Sequence, residues 1–222
     1  MKKGILALFG LILLASCSVK TNEEKARELI EPKIKANLIK PETYEFAQMQ
    51  LDSCFSDNSE RNPEAIAFAL KVAKLYKEYL EYKENAEEAE SSMAIFASSF
   101  GYQDAYEKQQ HQKYKAEMER AKRKATTVKE NILQLYKDNK QFIKSFESAE
   151  HEFTGWVVSF GYRAETAGGM KKMDISYFFL NKDLTEITHS FSVEDVAPLQ
   201  SASLDDLGYE FEEELKEIFG EE

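Results

Sequence analysis

Apolar residues return at alternating steps of four and three along two long stretches of the chain. Phe68, Val72, Leu75, Tyr79, Tyr82, Ala86, Ala89, Met93, Phe96 and Phe100 form the first series. Tyr114, Met118, Ala121, Ala125, Val128, Ile132, Leu135, Asn139, Phe142 and Phe146 form the second. A mean step of 3.5, kept for more than four repeats, marks a coiled-coil seam rather than one face of a lone helix. Gly101 separates the two, which predicts an antiparallel helical hairpin over about 63–147 with its tip near that glycine. Pro63, preceded by Asn62 as cap, suits a first helical position. Charge selects the same turn: Glu78, Glu81, Glu84, Glu87, Glu88 and Glu90 on one arm would face Lys113, Lys115, Arg120, Lys122, Arg123 and Lys124 on the other. An arm from Pro63 to Phe100 would reach about 55 Å at the helical rise per residue. Ser91-Ser92 is where it would split. A second apolar line, Ile66, Ala69, Ala73, Tyr76 and Leu80, predicts that the base of this arm is covered on another side, by a sheet.

The periodicity differs on either side of the hairpin. Thr21 or Asn22 can cap a helix with Glu23 and Glu24 in its first turn and Ala26, Ile30, Ile34 and Leu38 as its stripe. Pro32 predicts a kink or a restart near Glu31. In the extended run after Pro41, Tyr44 and Phe46 share one parity and Met49, Leu51 and Phe55 the other, so a β-bulge near Ala47 or Gln48 would keep both sets on the core. From His151 the period is two. Trp156, Val158, Phe160, Tyr162 and Ala164 read as the inner face of one strand, Met173, Ile175, Tyr177 and Phe179 as that of a second, and Ile187, His189, Phe191 and Val193 as that of a third. Glu165 to Lys172, with Gly168-Gly169, and Asn181-Lys182-Asp183 connect them. Residues 203–219 read as an amphipathic helix bearing Leu204, Leu207, Phe211, Leu215 and Ile218. The fold class expected is therefore α+β: a small antiparallel β-sheet with N- and C-terminal helices and an inserted long antiparallel helical (coiled-coil) hairpin, in a single domain over 18–222.

The first seventeen residues follow another rule. Lys2 and Lys3 precede an apolar run from Ile5 to Leu14, and Leu14-Ala15-Ser16-Cys17 closes it. The run is too short for a hydrocarbon core of about 30 Å and has the layout of a secretion signal. Its last four residues resemble the lipobox of bacterial lipoproteins, in which the cysteine is acylated and becomes the mature N-terminus. That resemblance implies lipidation at Cys17, a signal peptide over 1–17, and a lipid-anchored place in the cell envelope. Ser18, not Asp, follows the cysteine, which favours the outer membrane, on its periplasmic face or at the cell surface.

Removing Lys2 and Lys3 leaves 27 basic against 40 acidic residues, a net charge near −13. Such a surface repels phosphate backbones, so a nucleic-acid partner is not expected and membrane affinity would come from the acyl chains. Beyond Cys17, Cys54 is the remaining thiol and reads as a small buried hydrophobe. From Asp205 to Glu222 nine acids stand against Lys216 alone, which reads as a solvated face.

Pro41-Glu42-Thr43-Tyr44-Glu45-Phe46, then Gly155-Trp156 through Tyr162-Arg163-Ala164 and Gly168-Gly169, resemble a class of small uncharacterised envelope lipoproteins of Bacteroidetes-type bacteria. Their pattern is a Pro-x-Ser/Thr-Tyr-x-Phe entry into a strand, a helical insertion, then Arg-Ala-x-Asn-x-x-Gly between two strands. Glu165 or Thr166 stands here where the pattern has Asn. The class carries no assigned chemistry, and no residue role is transferred from it.

No catalytic or metal-binding constellation is legible. His111, His151 and His189 are scattered, His151-Glu152 lacks the second histidine of a zinc helix, and Gly168-Gly169 lacks the lysine of a phosphate loop. No cofactor is expected, and the chain is not expected to be an enzyme. Met93, Ile95, Phe96, Phe100 and Tyr102 cluster instead at the hairpin tip, where a projecting arm offers little core to enter, and such a patch marks a contact surface for an envelope protein partner. A ligand-binding or inhibitor domain using the sheet face or the Glu165 to Lys172 loop is the second expectation. A hydrolase using paired carboxylates is the last.

Overall fold

A computed structural model describes residues 20–97, 104–201 and 204–220. Thr21 opens α1 (Asn22–Asn37) with a capping box: its hydroxyl accepts from the Glu24 N–H and the Glu24 carboxylate accepts from the Thr21 N–H. The helix runs through Pro32 instead of restarting near Glu31. Ile30 and Ile34 flank the proline and are both buried against the sheet, and that burial offsets the roughly 3 kcal/mol that a mid-helix proline costs.

A turn of 3₁₀ helix, Pro41–Thr43, leads into β1 (Glu45–Phe55). Four strands, β1, β2 (Phe153–Glu165), β3 (Lys171–Leu180) and β4 (Ile187–Ser192), form one antiparallel sheet in sequence order. Phe46 pairs with Tyr162 and Gln48 with Gly161, so Ala47 is the extra residue of a bulge. Tyr44, Met49 and Leu51 consequently pack on one core, with Ala26, Ile30 and Ile34 of α1 and Val158, Phe160, Phe178 and Leu180 of the sheet.

Two details of the sheet differ from the expected pattern. Val158 pairs with Phe178, so the face of β3 that meets α1 carries Phe178 and Leu180, while Ile175, Tyr177 and Phe179 lie on the other face. Phe179 is buried as well, so both faces of β3 are apolar and parity alone does not select the inner one. The loop after β2 is also shorter than Glu165 to Lys172, because Glu165 belongs to β2 and Lys171 and Lys172 to β3.

Between β1 and β2 the chain makes a 3₁₀ turn, Ser59–Arg61, then α2 (Pro63–Ile95) and α3 (Ala105–Asp138), which lie antiparallel along each other as a hairpin. Asn62 caps α2 through the Glu64 and Ala65 N–H groups, and α2 passes unbroken through Ser91-Ser92. Asp104 and Glu107 form the capping box of α3. The seams meet as the periodicity requires: Phe96 stacks on Tyr114 at 5.7 Å, and Val72, Ala86, Ala89, Ala121, Val128 and Ile132 are buried, while Phe68 lies edge-on to Tyr136, one residue off the second seam, at 5.4 Å. Across the arms Lys122 reaches Glu90 at 3.1 Å, and Lys124 lies 4.7 Å from the centre of the Tyr82 ring. Gly101 lies outside the described residues.

The second seam does not continue unbroken to Phe146. Asn139 leaves the helical conformation and its side-chain amide donates to the Leu135 carbonyl, after which the short helix α4 (Lys140–Glu147) sets off. An antiparallel partner for Phe142 and Phe146 would have to precede Pro63, where the first arm has not yet begun.

The second apolar line of α2 is covered at Ala73 and Tyr76, but not by the sheet, and Leu80 at its outer end is 40% exposed. Ala73 and Tyr76 pack with Leu207 and Phe211 of the C-terminal segment. That segment is three helices: α5 (Val193–Ser201), α6 (Leu204–Glu210) and α7 (Glu212–Phe219). Val193, expected in the third strand, begins α5 because Ser192 and Asp195 make a reciprocal cap: Asp195 accepts from the Ser192 N–H and hydroxyl, and Ser192 Oγ accepts from the Asp195 N–H. The single helix expected over 203–219 breaks at Phe211, whose ring fills the hairpin base.

The acidic run is correspondingly more than a solvated face. Glu210 accepts from Lys83 at 2.8 Å and from the Tyr79 hydroxyl at 2.9 Å, and Glu214 accepts from Lys129 at 2.6 Å. Bonding to Lys83 holds Glu210 below the usual 4.5 of a glutamate, and bonding to Lys129 does the same for Glu214. A depressed carboxylate contributes stability that is complete above its unfolded value and is lost as the pH falls through its folded value. Acidification below about 4.5 is therefore expected to loosen α6 and α7 first. Thermal unfolding from pH 6 to pH 3, compared between the native chain and the Glu210→Gln, Glu214→Gln double variant, checks this. The native chain should lose more stability over that window, and equal slopes would show that these pairs contribute nothing.

Candidate functional sites

The base of the hairpin meets the C-terminal helices through Tyr76, Tyr79, Lys83, Lys129 and Tyr136, whereas farther out Glu90 pairs with Lys122 and Phe96 stacks on Tyr114 across the arms. The arms comprise 33 and 34 residues, or about 50 Å each, so their outer third is a two-helix projection. At its described end Met93 and Phe96 are half-buried, and the Phe96 ring stacks on Tyr114 and meets Tyr106 edge-on at 6.3 Å. Ile95 is 77% exposed and Tyr106 is 60% exposed. Of the residues expected at the tip, Ile95 thus faces solvent, Met93 is half-buried and Phe96 braces the arms through Tyr114. Phe100 and Tyr102 lie outside the described residues, as does Cys17. Tyr106, absent from the expected cluster, belongs to the exposed patch. It falls outside the heptad phase of the second seam, and that was the available signal.

A different site lies at the other end of the hairpin. A cavity of about 430 Å³ is lined by Ala65, Ile66, Phe68 and Ala69 of α2, Tyr136 of α3, Phe142, Ile143 and Phe146 of α4, and Leu199 of α5, with Ser59 and Glu60 beside them. A second cavity, of about 400 Å³, shares Phe68 and Phe142 and adds Glu64, Ala67, Lys71, Leu135, Asn139 and His189. His189 Nδ1 is buried there without a hydrogen-bond partner. A third, of about 230 Å³, lies between the end of α1 and the sheet, where Tyr162, Ser176, Ser190, Ser192 and Asp195 line it.

His151, Cys54 and Glu165 are each paired or buried away from these cavities. His151 Nδ1 lies 2.9 Å from Asp57 Oδ2 and its ring stacks on Phe55 at 4.1 Å, outside any of these cavities. Burial pushes the Cys54 thiol up to about 11, so it is protonated at neutral pH and a poor nucleophile. Glu165 bonds Lys40 at 2.8 Å, which lowers its pKa and ties the end of β2 to the segment before β1. Among the described residues, no group of three or more His, Cys, Asp or Glu side chains is placed to hold a metal ion. No helix among them is long and apolar enough to cross a membrane.

The chain matches no protein-family profile, no curated protein and no solved structure. What the sites do must therefore be read from their own geometry.

Proposed function

We propose that this is a lipid-anchored cell-envelope protein acting as a non-enzymatic interaction module, held by acyl chains on Cys17 and presenting the end of its hairpin to a protein partner. The observation that carries the reading is the arm itself. Its outer third has a packed seam, in which Phe96 stacks on Tyr114, yet ends in exposed Ile95 and Tyr106. Helical order extended this far from both hydrophobic cores serves reach rather than stability, since isolated ion pairs such as Lys122 with Glu90 add only tenths of a kcal/mol. The Lys2-Lys3 and Leu14-Ala15-Ser16-Cys17 pattern supports the placement.

The experiment is a photocrosslinking amino acid at position 95 of the full chain in intact cells, with one at the exposed Glu186 as control. A discrete adduct is expected from position 95 alone. It should disappear on Tyr106→Glu, which removes an exposed ring whose one ring contact among the described residues is its edge-on meeting with Phe96, and on Cys17→Ser, which removes the proposed anchor. Equal adducts from both positions, or an adduct indifferent to Cys17→Ser, would sink the reading.

A further inference from the structure

The two broad sides of the hairpin differ. A step of seven residues keeps to one side of a coiled coil, so Lys83 and Glu90 of α2 share a side with Lys122 and Lys129 of α3. That side is occupied: Lys83 and Lys129 hold Glu210 and Glu214 of the C-terminal helices, and Glu90 pairs with Lys122 farther out. On the other side an open groove of about 470 Å³ runs between the arms near their base. Half-buried Leu75 and Leu135 lie in it, Lys71 and Lys74 form its α2 bank, and Asn131, Gln134 and Asp138 form its α3 bank.

Steps of seven from Lys74 along α2 reach Glu81, Glu88 and Ile95, and the same steps back from Gln134 along α3 reach Thr127, Arg120, Lys113 and Tyr106. All of these side chains are exposed. Among the described residues the one salt bridge between the arms, Glu90 with Lys122, is on the occupied side. On the open side Lys113 reaches Glu117 of its own helix at 3.9 Å, and Asp138 accepts from Gln134 at 2.7 Å. The acids and bases of this side therefore do not meet within the chain.

Their signs reverse along the arms. Near the base α2 is basic, with Lys71 and Lys74, and α3 carries Asp138; farther out α2 is acidic, with Glu81 and Glu88, and α3 is basic, with Lys113 and Arg120 around Glu117. Lys71 and Asp138 border the same groove, and the Glu90–Lys122 and Phe96–Tyr114 contacts put Glu88 level with the turn from Arg120 to Lys124. A two-fold axis along the arms would lay α2 of one copy on α3 of another. Opposite signs then meet at both ends, Lys71 and Lys74 against Asp138 and Glu88 against Arg120, with Leu75 against Leu135 between the grooves. A two-fold across the middle of the arms would instead lay α2 on α2 and set Glu78 against Glu88.

We infer that this side pairs with a second copy of the chain, hairpin on hairpin with the tips at the same end. An interface between identical copies needs a self-complementary surface, and the reversed rows supply one. A polyanion would meet Glu81 and Glu88 along with the bases, and a wholly apolar surface would leave both rows unpaired. From Lys71 to Ile95 the side is about 36 Å long and about 20 Å wide, so the dimer would bury about 1,400 Å² in all, within the range of specific interfaces. The inference rests on the reading of the hairpin as a contact arm and names its partner. Acyl chains that confine the copies to one bilayer would raise their effective concentration, so a weak interface suffices.

The test measures self-association of the full chain in detergent micelles by sedimentation at low salt, for the native chain and two double variants at exposed positions. Lys113→Glu with Arg120→Glu makes α3 acidic; Glu81→Lys with Glu88→Lys makes α2 basic. Each variant should self-associate about tenfold more weakly than the native chain with its melting temperature retained, because like charges then face each other. An equimolar mixture should regain native association, since each variant supplies the sign that the other lacks; rows that are merely solvated give no such rescue. Should a double variant unfold, Arg120→Glu and Glu88→Lys alone carry the same comparison. A native chain that stays monomeric up to about 0.1 mM, variants that associate as the native chain does, or a mixture no tighter than its components would each overturn the inference. A monomeric chain whose position 95 still gives an anchor-dependent adduct with a different protein would overturn it while leaving the interaction module standing.

Discussion

Phe211→Ala is expected to lower the stability of the hairpin base by about 3–5 kcal/mol, the range for removing a fully buried phenylalanine. The ring is 0% exposed, meets Tyr79 edge-on at 5.3 Å and Tyr76 at 6.1 Å, and carries the Lys129 ammonium 4.8 Å from its centre. Neighbours so large cannot collapse into the space it leaves. The vacancy would open at the point where α6, α7 and both arms converge, in the cluster that also buries Leu207. Tyr209→Ala is the control: two residues away, that side chain is 79% exposed and its loss should cost less than about 0.5 kcal/mol. Urea unfolding of the two variants measures the contrast, and hydrogen exchange should show 204–219 losing protection in Phe211→Ala well before β2 and β3. If the variants unfold alike, the C-terminal helices are ornament on the hairpin and not part of its core.

That contrast also separates what was legible in the sequence from what was not. The seams were legible because a 3.5-residue step is a local property, and Val72, Val128 and Ile132 are buried where it puts them. So was the bulge, because Tyr44 and Met49 cannot share a face unless one residue between them is extra. The second apolar line of α2 announced that Ala73 and Tyr76 would be covered, but an apolar stripe does not name its partner. The sheet was nearest in sequence, while Leu207 and Phe211 arrive from the far end of the chain. At Val193 two signals conflicted. Alternation from Ile187 through Phe191 continued the strand, and the Ser192–Asp195 cap, worth about 1 kcal/mol, ended it. The cavity left a clue that the heptads concealed. Phe142 and Phe146 keep the seam's phase beyond the point where Pro63 starts the opposing arm, so they had to face something other than a helix.

The molecule has two hydrophobic clusters, one between α1 and the sheet and one between the hairpin and the C-terminal helices. The cavity at the hairpin base draws its wall from α2, α3, α4 and α5, and Phe68, Tyr136 and Leu199 among its residues pack at the edge of the second cluster.

Gly155→Ala should be the most damaging small substitution in the sheet. A methyl group there would lie 2.4 Å from the Leu180 carbonyl oxygen, well inside contact distance, and the backbone holds φ at +153°, which residues with a side chain rarely adopt. Neither the oxygen nor the strand can give way cheaply, because Trp156 pairs with Leu180 next door and the indole N–H donates to the Lys182 carbonyl at 3.1 Å. Overpacking and backbone strain cost about 1–3 kcal/mol each, so a loss near 4 kcal/mol is expected. Gly161 supplies the comparison within the same strand. A methyl group there would meet Gln48 Cγ at 2.9 Å and Met173 Cε at 3.3 Å, atoms of flexible side chains on the exposed face, and its backbone is ordinary. Gly161→Ala should therefore cost less than about 1 kcal/mol, because only rotamers must change. Trp156 is the one tryptophan in the chain and stands beside Gly155, so its fluorescence during denaturant unfolding reads this corner directly. Equal losses in the two variants would mean that the corner where β2 meets the end of β3 yields as readily as a surface side chain, and that the sheet is not pinned there.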